Sequence, residues 1–191
     1  MRYVGIDYSM GCPAMVTWTD REGKPFAWED CTAYFVTDVR KYVGRFDHNV
    51  FGIAMKDWSC QEERFNHLAD TFGQLLERDD RVVLEGYAMG AKGMVFHIGE
   101  NTGLLKNRMW TTGVHYESVS PSVIKKHATG KGNSDKKAMH EAFVNLTGFD
   151  LKRKLGMSEQ NWSPSGDVVD AFFACSLATT LPPPAIDTVQ K

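Results

Sequence analysis

The sequence lacks several features that define common classes of protein. Its four cysteines include no C-x-x-C pair, which argues against a zinc ribbon or a thioredoxin-type site. No apolar run reaches the roughly 20 residues of a membrane span, so we predict no membrane partner. Charged side chains at Arg2 and Asp7 argue against a secretory signal peptide. We therefore expect a reducing cytoplasmic environment and four thiols, mostly buried.

A general excess of positive charge is also missing. The 22 Lys and Arg residues stand against 24 Asp and Glu residues, for a net charge of −2, which excludes a generally basic nucleic-acid coat protein. The charge is unevenly distributed, because residues 1–80 sum to −5, residues 81–140 to +5 and residues 141–191 to −2. The positive middle third indicates either a localised anion-binding face or a chance cluster on a solvated surface.

The length and the hydrophobic pattern predict one α/β domain. A chain of 191 residues with 42% hydrophobic residues can bury its own core. We predict a single domain over 1–181, with an insertion of little clear period at about 38–58, and a C-terminal tail at 182–191. Strands are predicted at 2–7, 14–18, 32–37, 81–85 and 113–118. Helices are predicted at 59–78, 94–110, 121–127, 134–147 and about 164–180.

The order of these elements predicts a mixed sheet covered by helices. The first three strands form an antiparallel meander, and the later strands alternate with helices. Ser163 followed by Pro164 is typical of a cap with proline at the first helical position, and this predicts the start of the last helix.

Four acidic residues occupy positions suited to catalysis. Asp7 and Glu85 each end an apolar strand, and Asp167 and Asp170 lie three apart in the first turns of the last helix, where they share a face. Phosphodiester hydrolysis with two divalent cations needs several carboxylates converging from rigid elements. Mg²⁺ and Mn²⁺ prefer such oxygen ligands. Each acid also has a structural explanation, as a surface strand end or a partner of the helix dipole. Asp170 is the exception, because it heads the apolar run AFFACSLA and a buried charge there needs a compensating partner.

Five blocks of sequence then resemble the RuvC family of Holliday junction resolvases, which are ribonuclease H-like nucleases. The blocks occur in the family's order: VGIDYS at 4–9, VVLEGYAMGAKG at 82–93, GENTG at 99–103, IKKHATGKGNSDKKAM at 124–139 and GDVVDAFFAC at 166–175. The resemblance covers the chain except 38–58 and the tail. It implies a ribonuclease H-like α/β fold with a five-stranded mixed sheet flanked by helices.

The resemblance also implies a site and partners. The family's metal-binding acids fall on Asp7, Glu85, Asp167 and Asp170, which would hold two Mg²⁺ ions, with Mn²⁺ as a substitute. Lys136 is the implied catalytic lysine. The implied DNA-binding lysines are Lys92, Lys125, Lys126, Lys131, Lys136 and Lys137. The implied substrate is four-way junction DNA, cut symmetrically by a homodimer that forms through the helix at about 94–110. We expect the protein in the cytoplasm of a bacterial or phage-infected cell, associated with the nucleoid, with an organellar form as an alternative.

The basic segment agrees with this resemblance. Residues 121–140 carry five lysines and a single Asp, for a local charge of +4. Gly130 and Gly132 permit close approach of the backbone to phosphate. Lysine binds phosphate as a point charge without reading bases, so binding should follow DNA shape and weaken with salt.

The residue that opens the junction centre is less defined. Family members often place an aromatic wedge just after the strand-end glutamate, where this sequence has Ala88 or Met89. We take Tyr87, Met89 and Phe96 as candidates for contacts at the junction core.

Three other functions compete with a strict resolvase. A ribonuclease H-fold nuclease can act on broader branched DNA or on RNA–DNA hybrids. An actin-like phosphotransferase also begins with G-I-D, but it needs two such domains, for which 191 residues are too few. A non-catalytic junction binder has no need of four carboxylates.

Overall fold

A seven-stranded mixed sheet organises the molecule in the computed structural model, which describes residues 1–87 and 94–182. The strands are β1 Arg2–Asp7, β2 Ala14–Thr19, β3 Cys31–Thr37, β4 Gly44–Asp47, β5 Val50–Ala54, β6 Arg81–Glu85 and β7 Tyr116–Val119. Their spatial order is β4-β5-β3-β2-β1-β6-β7. β1, β3, β5, β6 and β7 are mutually parallel, whereas β2 and β4 run against their neighbours.

Helices cover both faces of the sheet. The helices are α1 Gln61–Leu75, α2 Val95–Thr112, α3 Pro121–Thr129, α4 Lys136–Thr147, α5 Leu151–Lys154 and α6 Ser165–Ala178. Two buried clusters lie on opposite faces of the sheet. One includes α6, α4 and α3, and the other includes α1 and α2. Along the described residues, no helix has both the length and the apolar character needed to cross a bilayer.

The sheet has two strands more than predicted, because the insertion predicted at 38–58 forms strands of its own. It contains β4 and β5, and β5 pairs in parallel with β3. These strands are only four and five residues long, too short to show a clear period. The strand predicted at 113–118 is also displaced to β7, because α2 continues to Thr112 and ends at Gly113, whose φ of 74° suits glycine.

One glycine sets the distance between the central strand and the last helix. A Cβ atom at Gly5 would lie 2.1 Å from the carbonyl oxygen of Ala171 and 2.1 Å from the amide nitrogen of Cys175. The backbones of β1 and α6 are therefore in direct contact, and no other residue fits at this position. This contact fixes where Asp7, at the end of β1, lies relative to the acidic start of α6.

The parallel strands bring several chain segments to one edge of the sheet. Asp7 ends β1 and Glu85 ends β6 at this edge, which we call the carboxyl edge. The residues after β3, β5 and β7 emerge there too. The turn between β2 and β3 lies at the opposite edge, because β2 runs antiparallel to β1.

Candidate active site

Three of the four predicted acids converge at the carboxyl edge. Among the described residues, Asp7, Glu85 and Asp170 each offer an oxygen atom such that these atoms all lie within 4.8 Å of one another. They come from β1, β6 and α6, three elements that are packed together in the core. We call these three residues the carboxylate triad.

The fourth predicted acid, Asp167, lies beside the triad and has a different partner. It is 7% exposed, and the Ser163 hydroxyl donates a hydrogen bond of 2.5 Å to its Oδ2 atom. Asp167 and Asp170 do occupy the same end of α6, as predicted, but only Asp170 joins the triad. The repulsion that Asp167 exerts on Asp7, Glu85 and Asp170 nevertheless raises their pKa values, so it acts at short range.

Ser163 has a role that the sequence pattern did not reveal. The sequence predicts Ser163 as the cap of the last helix, but α6 begins at Ser165 and Pro164 occupies the cap position. The Ser163 hydroxyl instead donates to the Asp167 side chain, four residues later. This bond lowers the pKa of Asp167 and so partly offsets the effect of its burial.

Burial and mutual repulsion disfavour the ionised forms of the triad. Burial raises the pKa of Glu85 to about 8, with a further contribution from the charge of Asp170. Burial, followed by the charge of Asp167, raises the pKa of Asp170 to about 6. Burial, followed by the charge of Glu85, raises the pKa of Asp7 well above its usual range. Ionising all three therefore needs a compensating positive charge.

The triad meets the requirements of a divalent cation site. Carboxylate oxygens are the ligands that Mg²⁺ and Mn²⁺ prefer, and the three side chains come from rigid elements. Burial and mutual repulsion raise the pKa values of these acids, and a bound cation would offset both effects. The acids present therefore fit a metal-dependent site, and Asp167 is close enough to contribute to the same charge cluster.

Two of the predicted lysines act on this cluster. Lys136 lowers the pKa of all four acids, and Lys125 lowers those of Glu85 and Asp170. The Nζ atom of Lys136 lies 3.9 Å from the position that a Cβ atom would take at Gly166, at the start of α6. The positive charges of α3 and α4 are thus directed towards the carboxylates.

The local structure explains why Lys136 occupies this position. It is the first residue of α4, and the side chain of Asp135 caps that helix by accepting a 2.8 Å hydrogen bond from the Ala138 amide. Phe143 of α4 contacts Phe172 of α6, with their ring centroids 5.0 Å apart. This packing joins the middles of the two helices, and the Lys136 side chain extends to Gly166 at the start of α6.

The other predicted DNA-binding lysines are Lys92, Lys126, Lys131 and Lys137. Lys126, Lys131 and Lys137 are exposed on or between α3 and α4, and Lys137 makes an ion pair of 3.8 Å with Glu141. Gly130 ends α3 with φ 79°, and Gly132 packs against the carbonyl oxygen of Ser122 rather than open space. Lys92 lies outside the described residues.

Of the candidate junction-core residues, two can be described. Phe96 is 83% exposed at the start of α2, and Tyr87 is 40% exposed just after β6. The Nζ atom of Lys106 lies 4.9 Å from the ring centroid of Tyr87. Met89 lies outside the described residues, as does Ala88. An exposed aromatic ring thus lies two residues beyond the triad member Glu85.

These features define a class of protein. A mixed sheet flanked by helices, with carboxylates at the ends of β1 and β6 and at the start of the last helix, is a ribonuclease H-like α/β fold. The prediction of this fold is confirmed, with seven strands in place of five.

Within this class the fold is RuvC-like. The chain is similar to the structure of Thermus thermophilus RuvC, with a TM-score of 0.59, 16% sequence identity, and coverage of 94% of this chain and 96% of that one. It is also similar to T. thermophilus RuvC in complex with Holliday junction substrate, with a TM-score of 0.58, 14% identity and the same coverage. Comparison with protein-family models gives no match, and neither does comparison with curated protein sequences. At these identities the likeness concerns the fold.

Proposed function

We propose that this protein is a structure-specific endodeoxyribonuclease that resolves four-way DNA junctions by metal-dependent hydrolysis of phosphodiester bonds, with paired symmetric nicks. The observation that carries the proposal is the meeting of Asp7, Glu85 and Asp170 at the carboxyl edge of a RuvC-like fold. The neighbouring lysines support it, because Lys125 and Lys136 lie close enough to shift the acids' pKa values. A phosphate group at the triad would meet both lysines.

Each residue has a distinct part in this proposal. The triad, together with Asp167, would hold two Mg²⁺ ions, which Mn²⁺ can replace. When bound, such cations supply activation of water and stabilise charge on the leaving oxygen. Lys136 places a positive charge beside the reacting phosphate. Lys125, Lys126, Lys131 and Lys137 would bind phosphates of the flanking DNA without reading its bases, as would Lys92.

Symmetric cutting requires two copies of the chain, and we propose that α2 forms the dimer contact. Phe96 and Trp110 lie on this helix and are 83% and 78% exposed, and exposed apolar side chains of this size are typical of an interaction surface. A Cβ atom at Gly99 or Gly103 would meet nothing within 4 Å. Sedimentation velocity tests the proposal, because Gly103→Glu should leave the monomer folded and shift a dimer to monomer. Asn145→Glu, on the exposed side of α4, is the control and should leave the dimer intact.

Cleavage of three labelled DNAs tests the activity. The substrates are a synthetic four-way junction, a linear duplex of the same sequence and an RNA–DNA hybrid, each with Mg²⁺, Mn²⁺ or EDTA. We expect paired nicks in the junction alone, abolished by EDTA. Similar rates on the hybrid or the duplex would instead indicate a ribonuclease H-fold nuclease of broader specificity.

A variant of the triad tests the site. Asp7→Asn removes one carboxylate charge with little change in shape, so it should keep junction binding and lose cleavage. Cleavage at the wild-type rate by this variant would show that the reaction takes place elsewhere. We also expect Lys136→Ala or Lys125→Ala to lower the rate of cleavage, while the same change at Lys24, at the opposite edge of the sheet, should not.

A further inference from the structure

The two strands that were not predicted add a positively charged segment to the carboxyl edge. Residues 38–43 connect β3 to β4 and contain Arg40 and Lys41, which are both exposed. Lys56 follows β5 at the same edge and is also exposed. We call Arg40, Lys41 and Lys56 the second basic patch. These three residues lie outside the basic segment at 121–140.

The position of this patch follows from the order of the strands. The triad lies at the ends of β1 and β6, and Lys125 belongs to α3, which follows β7 on one side. β3 lies two strands from β1 on the other side, and β5 is the next strand beyond it. Neighbouring strands are about 4.8 Å apart, so the end of β3 lies about 10 Å from the end of β1. The acids therefore lie between two positively charged regions.

A groove connects the triad side of the edge to the second basic patch. It has a volume of about 330 Å³, and its lining includes Ser9, Cys12, Thr37, Val39, Tyr42 and Ser163. Ser163 donates to Asp167 at one end of the groove. At the other end, the Nζ atom of Lys41 lies 4.6 Å from the ring centroid of Tyr42. The groove thus runs between the hydrogen-bond partner of Asp167 and the ring beneath Lys41.

The charge of the segment suits a phosphate backbone. Residues 38–58 carry four Arg and Lys residues and three Asp residues. One of those acids, Asp47, is paired with Lys154 at 2.6 Å. Another, Asp38, lines the groove, so we assign the phosphate contacts to the exposed Arg40 and Lys41. A span of about 10 Å corresponds to three base-pair rises of about 3.4 Å along the axis of a DNA duplex.

We propose that the second basic patch binds the DNA backbone on the side of the cleavage site opposite to α3 and α4, so that one strand crosses the triad between two basic regions. This inference rests on the proposed function and extends it to a segment that the resemblance does not cover. Arg40 and Lys41 bind phosphates of the strand that leaves the triad along the groove, and Lys56 binds the next phosphate beyond them.

A charge-neutralised pair tests the inference. Arg40→Gln/Lys41→Gln is introduced in Asp7→Asn protein, so that junction binding is measured with Mg²⁺ present and without cutting. Each phosphate contact contributes about eightfold to binding at 0.1 M salt, so the pair accounts for up to about 60-fold in each subunit of the dimer. We expect Kd to rise at least about 10-fold, and the slope of log K against log salt to fall by about 2 for each subunit that engages the junction. The matched control, Arg21→Gln/Lys24→Gln, removes the same charge at the opposite edge and should change neither.

The outcomes separate the two proposals. If the Asp7→Asn parent does not bind a four-way junction, the proposed function fails and the inference fails with it. If the parent binds and the Arg40/Lys41 variant matches the control, the inference alone is wrong. A photo-crosslinking residue at Val39 gives a second measurement that needs no loss of affinity. It should crosslink to junction DNA near the cut, whereas the same residue at Glu22 should not, and equal crosslinking from both positions would overturn the inference.

Discussion

Glu85→Gln should make the metal-free protein more stable, although it removes a proposed ligand. The pKa of Glu85 is raised from its ordinary value of 4.5 to about 8 by burial and by the charge of Asp170. In the unfolded chain this carboxyl group ionises above pH 4.5, while in the folded protein it keeps its proton until about pH 8. The folded state therefore binds more protons between these values, and stability falls as the pH rises through this window.

The size of the effect follows from the same values. Each pH unit in the window costs the folded protein about 1.4 kcal/mol relative to the unfolded chain. The cost of Glu85 is then near zero at pH 4.5 and about 3 kcal/mol at pH 7. Glutamine has no charge to bury, so Glu85→Gln should raise the free energy of unfolding by about 2–3 kcal/mol at pH 7 and by less than about 1 kcal/mol at pH 5. The substitution also removes the charge of Glu85, which contributes to the raised pKa of Asp7.

Urea unfolding in EDTA between pH 5 and pH 8 measures this difference. Glu22→Gln is the control, because Glu22 is exposed in the turn after β2, and it should change stability by less than about 0.5 kcal/mol at every pH. Added Mg²⁺ should narrow this difference, since a cation at 100 times its Kd stabilises the wild type by about 2.7 kcal/mol and a weakened site by less. The reasoning is refuted if Glu85→Gln is no more stable than the wild type at pH 8 in EDTA, or if its advantage does not grow with pH.

Two further predictions concern the packing and the orientation of the site. In urea unfolding, Gly5→Ala should destabilise the fold by about 3 kcal/mol or more, because the new Cβ atom would overlap the α6 backbone. Gly11→Ala is the control, because a Cβ atom there meets nothing within 4 Å. Its free energy of unfolding should stay within about 0.5 kcal/mol of the wild-type value. Similar stability of the two variants would contradict the close approach of β1 and α6. Ser163→Ala removes the hydrogen-bond donor that lowers the pKa of Asp167. The acidic limb of the pH–rate profile for cleavage should therefore move to higher pH. An unchanged profile would show that this hydrogen bond does not set the ionisation of Asp167.

Much of the central fold could be predicted from local patterns. The bounds of β1 and β6 are as predicted, because short runs rich in β-branched and other apolar residues are strong strand signals. The helix predicted at 59–78 is α1, in which Phe65, Leu68 and Phe72 are buried. Three of the four cysteines are buried and Cys60 is exposed, in agreement with the expectation of mostly buried thiols.

The sequence by itself determined which acids stand at the ends of elements, because strand and helix periods are local properties of the chain. Only the tertiary structure decided which of those acids meet. The absence of a side chain at Gly5 brings α6 against β1, and the rotation of α6 on that contact places Asp170 in the triad and turns Asp167 to Ser163. The positions of β4 and β5 were likewise decided by pairing with β3. Such pairing depends on residues distant in sequence, and it brings Arg40 and Lys41 to the same edge as the acids.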